Sequence, residues 1–271
     1  MNLVQRAISL MRAHRMLPKK RLGQNFMIDS HFLQLMCEYA AISRTDVVLE
    51  VGAGLGFLTR FLAQRARQVV AVEADNRLIK ILQQELADLD NVELIEGDIL
   101  RLGVLDFNKV VSNPPFAISS PLLFWLFNQT FDCAVLTFQE EFAKRLKAEP
   151  GSKQYSRLTV STYYRAEVEL LAPVPAYVFY PTPEVKAAAI RLKPRSPPFR
   201  VADEKVFHEV VRILFTQRNK LVRNAAMPLI NKYGLRGSPS MRKADFLPLC
   251  NKRVRELAPE DFGMLADEFS M

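Results

Sequence analysis

Short hydrophobic runs alternate with amphipathic stretches along most of the chain, from residue 46 onward. The runs that predict β-strands cover residues 47–51, 68–72, 92–96, 109–112 and 133–138, and the stretches that predict helices cover 57–65, 76–87, 121–127 and 140–147. Two further strands, near 168–171 and 185–192, flank a proline-rich segment, and we expect them to form an antiparallel pair at the sheet edge. Strands that alternate with helices favour an α/β fold, here with a mostly parallel sheet of seven strands and an antiparallel edge strand.

The pattern changes after three closely spaced prolines, Pro194, Pro197 and Pro198. Apolar residues then recur at helical spacing with no β-rich run between them: Phe207, Val211, Leu214, Phe215, Leu221 and Ala225. Helical periodicity without strands predicts a separate, all-helical unit. We therefore expect an α/β domain over residues 1–195, which starts with a basic segment over 1–28, and a small helical domain over 196–271.

The composition fits a globular protein that works without metals or disulfides. Of the 271 residues, 49% are hydrophobic and 24% are charged, which are ordinary values for folded domains. The three cysteines lie far apart without a CxxC pair, so neither a disulfide framework nor a metal site is indicated. We expect a cytoplasmic monomer. We also expect that it does not span a membrane, since no apolar run approaches the ~20 residues of a membrane helix.

The net charge of +8 is concentrated at the two ends of the chain. Residues 1–28 contain six Lys and Arg and no acids, residues 195–271 contain fourteen against nine, and residues 29–194 contain seventeen against twenty. Two basic segments around a mildly acidic body indicate a polyanionic partner such as a nucleic acid. A solvated surface without a partner is the alternative, and a basic N-terminus is also typical of a mitochondrial transit peptide.

A glycine-rich turn follows the first predicted strand, with Glu50 two residues before the sequence GAGLG at 52–56. Glycine lets the backbone take positive φ and approach a ligand closely, so Gly52 and Gly54 are candidates for cofactor binding. NAD-binding proteins space their glycines as GxGxxG, which differs from the spacing here. Since a carboxylate such as Glu50 repels a pyrophosphate and tolerates a cation, the turn favours S-adenosyl-L-methionine, whose sulfonium and ammonium are positively charged.

Acidic residues also stand at the ends of the next two predicted strands. Glu73 ends the second strand, where a carboxylate accepts hydrogen bonds from ribose hydroxyls. Asp98 follows the third strand, where it suits the amino group of an adenine. Either acid alone fits a solvated loop end. Together with Glu50 behind one glycine turn, they favour a cofactor site.

The fourth predicted strand ends in the sequence Asn113-Pro114-Pro115-Phe116. Open α/β sheets place their chemistry at this edge. The Asn113 oxygen and the Pro114 carbonyl would accept hydrogen bonds from an exocyclic amine as its nitrogen pyramidalises, while the Phe116 ring stacks on the extruded base. The alternative is a buried proline turn with a core aromatic.

On these motifs the chain resembles the small-subunit ribosomal RNA adenine N6,N6-dimethyltransferase family, most of all its archaeal members, from Lys19 to about Lys252. The stretch RLGQNFMID at 21–29 is similar to the family's LGQNFL-D opening, and FTQRNKLVRN at 215–224 is similar to its FSQRRKTLRN helix. The NPPF turn differs from the family's commoner NLPY at Pro114 and Phe116, and Phe116 keeps the stacking face. The resemblance implies a Rossmann-like methyltransferase sheet and dimethylation of adenines in small-subunit ribosomal RNA within a pre-ribosomal particle.

The resemblance also implies roles for individual residues. Gln24, Asn25, Met27 and Asn113 would contact the cofactor, together with the acids and glycines above. The helix expected over 215–224 would present a polar, basic face to RNA, and the basic residues before the cofactor loop would do the same. These expected RNA contacts are Lys19, Lys20, Arg21, Gln217, Arg218, Lys220, Arg223 and Asn224.

Two other functions remain open at this point. A DNA adenine or protein glutamine N-methyltransferase would share the glycine turn and NPPF, although it would not be expected to share the 215–224 segment. A ribosome-assembly or transcription factor without catalysis would retain the fold and the cofactor pocket. The intact set of Glu73, Asp98, Asn113 and Phe116 favours an enzyme.

Overall fold

The structure is a computed structural model that describes residues 2–19, 23–234 and 243–270. Backbone contacts divide the chain into two compact units. The first, called the sheet unit, comprises Met1–Ala143 and Glu169–Pro194, and the second, called the helical unit, comprises Lys144–Val168 and Arg195–Met271. None of the helices among the described residues is long and apolar enough to cross a membrane.

The helices are numbered in chain order. They are α1 (Leu3–Ala13), α2 (Ser30–Tyr39), α3 (Phe57–Ala63), α4 (Asn76–Glu85), α5 (Ser119–Leu126), α6 (Glu140–Leu146), α7 (Arg157–Arg165), α8 (Glu204–Phe215), α9 (Val222–Ala225), α10 (Met227–Tyr233) and α11 (Pro259–Asp267). The strands are β1 (Phe26–Met27), β2 (Val47–Val51), β3 (Gln68–Glu73), β4 (Val92–Glu96), β5 (Lys109–Ser112), β6 (Cys133–Gln139), β7 (Ala166–Val174), β8 (Phe179–Tyr180) and β9 (Ala187–Pro194).

The seven-stranded, mostly parallel sheet that the sequence predicts is confirmed. Its strand order is β4-β3-β2-β5-β6-β9-β7, and β2 is parallel to both β3 and β5. All five residues of β2 are buried, as expected of a central strand covered on both faces. The strand order reverses between β2 and β5, which is where open α/β sheets form ligand crevices at the carboxyl ends of their strands.

The two strands expected as a pair, β7 and β9, are neighbours at one end of the sheet, but the antiparallel strand is not the outermost one. β9 is antiparallel to β6 and lies between β6 and the outermost strand, β7. The burial of the two strands explains this order. Ala187, Ala188, Ala189 and Ile190 of β9 are all buried, whereas most residues of β7 are exposed or half-buried, as suits an edge strand.

The basic N-terminal segment contains α1, which belongs to the sheet unit. The Asn2 side chain caps the helix by accepting a hydrogen bond from the Val4 amide at 2.9 Å. Ala7, Leu10 and Met11 are buried in the core of this unit. Of the two basic residues of the helix, Arg12 is exposed, whereas Arg6 is half-buried and forms an ion pair with Glu85 of α4 at 2.6 Å.

The helical unit includes residues 144–168, which the predicted boundary at 195/196 assigns to the α/β domain. Tyr155, Val160 and Tyr164 are buried in the same core as the C-terminal helices, and the Tyr155 hydroxyl donates to the Leu257 carbonyl at 2.8 Å. Periodicity could not reveal this assignment, because the segment lies between two strands of the sheet in chain order.

The prediction of one helix over 215–224, which the family resemblance implies, is wrong. α8 ends at Phe215, and α9 begins only at Val222. Between them the chain turns, and Leu221 is extended with φ −65° and ψ 148° and bridges to Arg253. The expected alignment of Gln217, Lys220 and Asn224 on one helical face therefore does not occur.

Candidate cofactor and amino-group site

The glycine turn after β2 has the conformation that only glycine adopts easily. Gly52 and Gly54 have φ of +78° and +62°. A Cβ added to Gly52 would lie 3.1 Å from Pro115 Cδ, and one added to Gly54 would lie 3.1 Å from Phe26 Cδ1. Pro115 of the NPPF motif and Phe26 of β1 therefore lie close to the turn.

A cavity of about 310 Å³ opens beside this turn, within the volume range of small-molecule sites. The structure brings all nine sequence-predicted cofactor residues to its wall: Gln24, Asn25, Met27, Glu50, Gly52, Gly54, Glu73, Asp98 and Asn113. Pro115 also lines it, whereas Pro114 is buried behind it and Phe116 is half-buried and not part of the wall. The cavity belongs entirely to the sheet unit.

Glu73 is fixed by the backbone around it. One of its oxygens accepts a hydrogen bond from the Gly54 amide and the other from the Asp75 amide, each at 2.9 Å. Burial raises the pKa of Glu73, and these amide donors oppose the rise. Each carboxylate oxygen keeps lone-pair capacity for a further donor, such as a hydroxyl in the cavity.

Glu50 is the most deeply buried acid of the cavity wall, with 2% of its surface exposed. Burial raises the pKa of Glu50 to about 8, the Thr59 hydroxyl opposes the rise, and the charge of Glu73 adds to it. Its Oε2 atom has no hydrogen-bond partner among the described residues. An unpartnered buried carboxyl oxygen is unfavourable in the free protein and suits a cationic ligand.

Asp98 and Asp75 have different surroundings. Asp98 is exposed and caps a 3₁₀ turn by accepting the Leu100 amide at 3.0 Å. Asp75, which the sequence analysis missed, is buried and caps α4. Its carboxylate accepts hydrogen bonds from the Arg77 guanidinium and from the Gln24 amide at 2.9 Å, and Arg77 holds the pKa of Asp75 far below its usual range.

The signal that could reveal Asp75 is its place directly before α4, where aspartate is a favoured N-cap. Its hydrogen bond to Gln24 then fixes a residue that itself lines the cavity. The Gln24 side chain also accepts the Lys19 amide at 2.7 Å. Asp75 therefore holds the segment before β1 against the cofactor cavity.

The Asn113 amide is held on both sides. Its Nδ2 donates to the Asn25 carbonyl at 3.0 Å, and its Oδ1 accepts a hydrogen bond from the Thr137 hydroxyl. Nothing in the sequence pattern distinguishes Thr137 from other residues of a buried strand. Phe116, three residues on, begins a 3₁₀ turn, and its carbonyl accepts the Ser119 hydroxyl at 2.9 Å.

The expected RNA contacts are divided between the two units. In the sheet unit Lys19 is exposed and lies 3.9 Å from Asp75, whereas Lys20 and Arg21 lie outside the described residues. In the helical unit Lys220 and Asn224 are exposed, and Gln217 is half-buried.

Two of the predicted basic contacts are engaged within the helical unit. The Arg218 guanidinium donates to the carbonyls of Ser152 and Lys153, each at 2.9 Å. Arg223 donates to the Asn251 side chain at 2.7 Å. Arg218 therefore fixes the loop before α7, and Lys220 is better placed to meet a phosphate.

Comparisons with known proteins agree with this geometry. Residues 16–235 match the family described as ribosomal RNA adenine dimethylase. A Methanopyrus kandleri protein named "Probable ribosomal RNA small subunit methyltransferase A" is 44% identical over 253 residues, 92% of this chain and 91% of that protein. A dimethyladenosine transferase from Plasmodium falciparum has a TM-score of 0.73 at 27% identity, covering 88% of this chain and 94% of its own. The 23S rRNA methyltransferase ErmE has a TM-score of 0.64 at 27% identity, covering 91% of this chain and all of its own.

Proposed function

The chain belongs to the ribosomal RNA adenine dimethylase family and is a methyltransferase, and we propose that it dimethylates the N6 amino groups of adenines near the 3′ end of small-subunit ribosomal RNA. S-adenosyl-L-methionine is the proposed methyl donor. A pre-ribosomal particle of the small subunit is the proposed substrate.

The observation that carries this proposal is the position of the Asn113 amide on the wall of the glycine-lined cavity. A carbonyl oxygen at that position is a hydrogen-bond acceptor for an amino group next to the bound cofactor. Methyl transfer to an amino group fits such an acceptor, because the N–H bonds of the amine can donate to it.

The residues of the cavity fit S-adenosylmethionine part by part. The glycine turn admits a ligand where a Cβ would meet Pro115 or Phe26. The unpartnered Oε2 of Glu50 suits the positive charge of the cofactor. Glu73 would take the ribose hydroxyls through the lone pairs that the Gly54 and Asp75 amides leave free, and exposed Asp98 would take the adenine amino group.

The chain's own residues supply positioning and polarity for the methyl transfer. When bound, S-adenosylmethionine supplies an electrophilic methyl group. The Asn113 oxygen and the Pro114 carbonyl accept hydrogen bonds from the two N6–H bonds, which favours the pyramidal nitrogen whose lone pair is free to attack. Phe116 stacks on the flipped base, and one of the amine's own N6–H protons leaves to solvent once the new N–C bond has formed.

The small subunit is favoured over the large one by the relatives. The M. kandleri protein, at 44% identity, carries a small-subunit name, whereas ErmE is a 23S rRNA methyltransferase and is only 27% identical. RNA recognition would use phosphate contacts from Lys19, Lys20 and Arg21 and from exposed residues of the helical unit, Lys220 above all. Base selection would belong to the Asn113 pocket.

Transfer of a radiolabelled methyl group tests the proposal directly. The purified protein is incubated with small-subunit and large-subunit particles, a DNA duplex and a glutamine-containing peptide, and primer extension locates the modified bases. We expect label only in the small subunit, near the 3′ end of its RNA, and a rate at least about 100-fold lower for Asn113→Ala. Asn128→Ala, at an exposed asparagine in the same unit, serves as the control and should retain the wild-type rate.

Other outcomes identify other functions. Label in the DNA or the peptide would assign the enzyme to that substrate class, and label in the large subunit would overturn the small-subunit assignment. Tight binding of the small subunit without any methyl transfer would establish an assembly factor whose pocket is not used for catalysis.

A further inference from the structure

We propose that Thr137 is a positioning residue for the methyl transfer, which fixes the orientation of the Asn113 amide. This inference rests on the proposed function, because the Asn113 oxygen matters only if an amino group is methylated beside it. Thr137 does not line the cavity and would not touch substrate or cofactor. Its effect on the reaction would pass through Asn113.

The sheet register brings the two residues together. β5 and β6 are parallel, and Ser112 at the end of β5 is the partner of Leu136. The next residues along both strands, Asn113 and Thr137, therefore lie side by side at the carboxyl edge of the sheet. Thr137 also pairs with Ala189 of β9 and is fully buried, so its side chain has a fixed environment.

The Asn25 contact decides which way the Asn113 amide points, and the Thr137 contact holds it in that orientation. The Asn25 carbonyl is only an acceptor, so the Nδ2 group must face it, and the hydrogen bond is 3.0 Å long. The Oδ1 atom then faces Thr137, whose hydroxyl donates to it. Rotating the amide by half a turn would place two oxygens together at Asn25, and the Thr137 hydroxyl, which can also accept, would then have to take a hydrogen bond from Nδ2.

This arrangement leaves one acceptor site on the Asn113 oxygen for the substrate. A carbonyl oxygen accepts two hydrogen bonds, and the Thr137 hydroxyl uses one of them. The second lone pair is available to an N6–H bond in the cavity. Without the hydroxyl, only Asn25 would hold the amide, so fewer bound complexes would present the oxygen to the amine.

The test compares substitutions at Thr137 with the same substitution at a matched position. Thr137→Val removes the hydroxyl and keeps the volume, and Thr137→Ser keeps the hydroxyl. Thr162 in α7 is also fully buried, and its hydroxyl has no hydrogen-bond partner in the part of the chain that the structure describes, so Thr162→Val is the control.

We expect Thr137→Val to lower the single-turnover methylation rate about tenfold, the worth of one neutral hydrogen bond. The KM for RNA and the affinity for S-adenosylmethionine should stay within about twofold, since neither ligand contacts Thr137. Thr137→Ser should restore most of the rate, and Thr162→Val should match wild type. A Thr137→Val rate equal to wild type, or Thr137→Ser as slow as Thr137→Val, would overturn the proposal.

A second measurement does not depend on activity. In protein labelled with ¹⁵N in asparagine, the Asn113 side-chain amide signals are assigned by their loss in Asn113→Ala. These signals should move in Thr137→Val and stay in place in Thr137→Ser and Thr162→Val. If the Asn113 signals do not move in Thr137→Val, the positioning role is refuted, even if the protein methylates RNA. If they move but the wild-type protein shows no methylation, the result counts against the proposed function alone.

Discussion

Gly52 is the position where a single methyl group tests the geometry of the cofactor turn. Its φ is +78°, and an added Cβ lies 3.1 Å from Pro115 Cδ. A positive φ costs a residue other than glycine about 1–2 kcal/mol, and the contact with the proline ring adds to this cost. Both the turn and Pro115 line the cavity, so relieving the strain disturbs the site. Because 1.4 kcal/mol is about tenfold in affinity, Gly52→Ala should weaken S-adenosylmethionine binding by about 10- to 100-fold.

Substitutions at two other glycines distinguish the effect of backbone strain from that of the contact with Pro115. At Gly103 and Gly151 an added Cβ meets no atom within 4 Å, and of these two only Gly151 has a positive φ, +84°. Gly103→Ala should leave both thermal stability and cofactor affinity unchanged. Gly151→Ala should lower the melting temperature by a few degrees without changing affinity, whereas Gly52→Ala should lower both.

Titration calorimetry with S-adenosylmethionine and thermal unfolding followed by circular dichroism measure the two quantities. If Gly52→Ala binds the cofactor as tightly as Gly151→Ala does, neither the φ of this turn nor its contact with Pro115 shapes the site. The assignment of the glycine turn to the cofactor would then be wrong.

Four further predictions concern charged side chains. Glu73→Ala should lower S-adenosylmethionine affinity at least about tenfold in calorimetry, because hydrogen bonds to a charged acceptor contribute about 1.5–3 kcal/mol each. Glu50→Gln should make the free protein more resistant to urea at pH 8 than wild type, with a smaller difference at pH 6. The reason is that burial raises the pKa of Glu50 to about 8 in the folded protein. As pH rises towards 8, the Glu50 carboxyl loses its proton in the unfolded chain before it does so in the folded protein, so the stability of the wild type falls. Lys220→Ala should weaken RNA binding and reduce the slope of log affinity against log salt by about one or less, whereas Arg218→Ala should lower thermal stability because its guanidinium holds the Ser152 and Lys153 carbonyls.

The strands were predictable because their hydrophobic residues identify them locally. The predicted runs at 47–51, 92–96 and 109–112 coincide with β2, β4 and β5. The place of a strand in the sheet is not a local property, however. β7 and β9 follow each other as a plausible hairpin in the sequence, and only the strand order of the structure, with Ala187–Ile190 of β9 buried, shows which of them is the edge.

The 215–224 segment shows how periodicity fails at a turn. Leu221 and Ala225 continue the helical spacing of α8, which agreed with the helix over 215–224 that the family resemblance implied. The chain instead turns after Phe215, and backbone hydrogen bonds to the C-terminal segment stabilise the turn. The Val222 amide donates to the Lys252 carbonyl, and the Arg255 amide donates to the Arg218 carbonyl, each at 2.9 Å. The partners that stabilise this conformation lie 30 and 37 residues away in the chain, and no local pattern reports them.

The same distinction between local and distant contacts applies to the site. Gly52 and Glu73 were predictable because the turn and the strand end themselves require those residue types. Thr137 was not, since its role depends on the parallel pairing of β5 with β6, which places it beside Asn113 across 24 residues of chain. A threonine in a buried strand is ordinary in sequence, and it becomes informative only when the register shows which polar atom its hydroxyl meets. The residue proposed to orient the Asn113 amide is therefore harder to predict than Asn113, because the proposed chemistry constrains the type of Asn113 directly and that of Thr137 only through a neighbour.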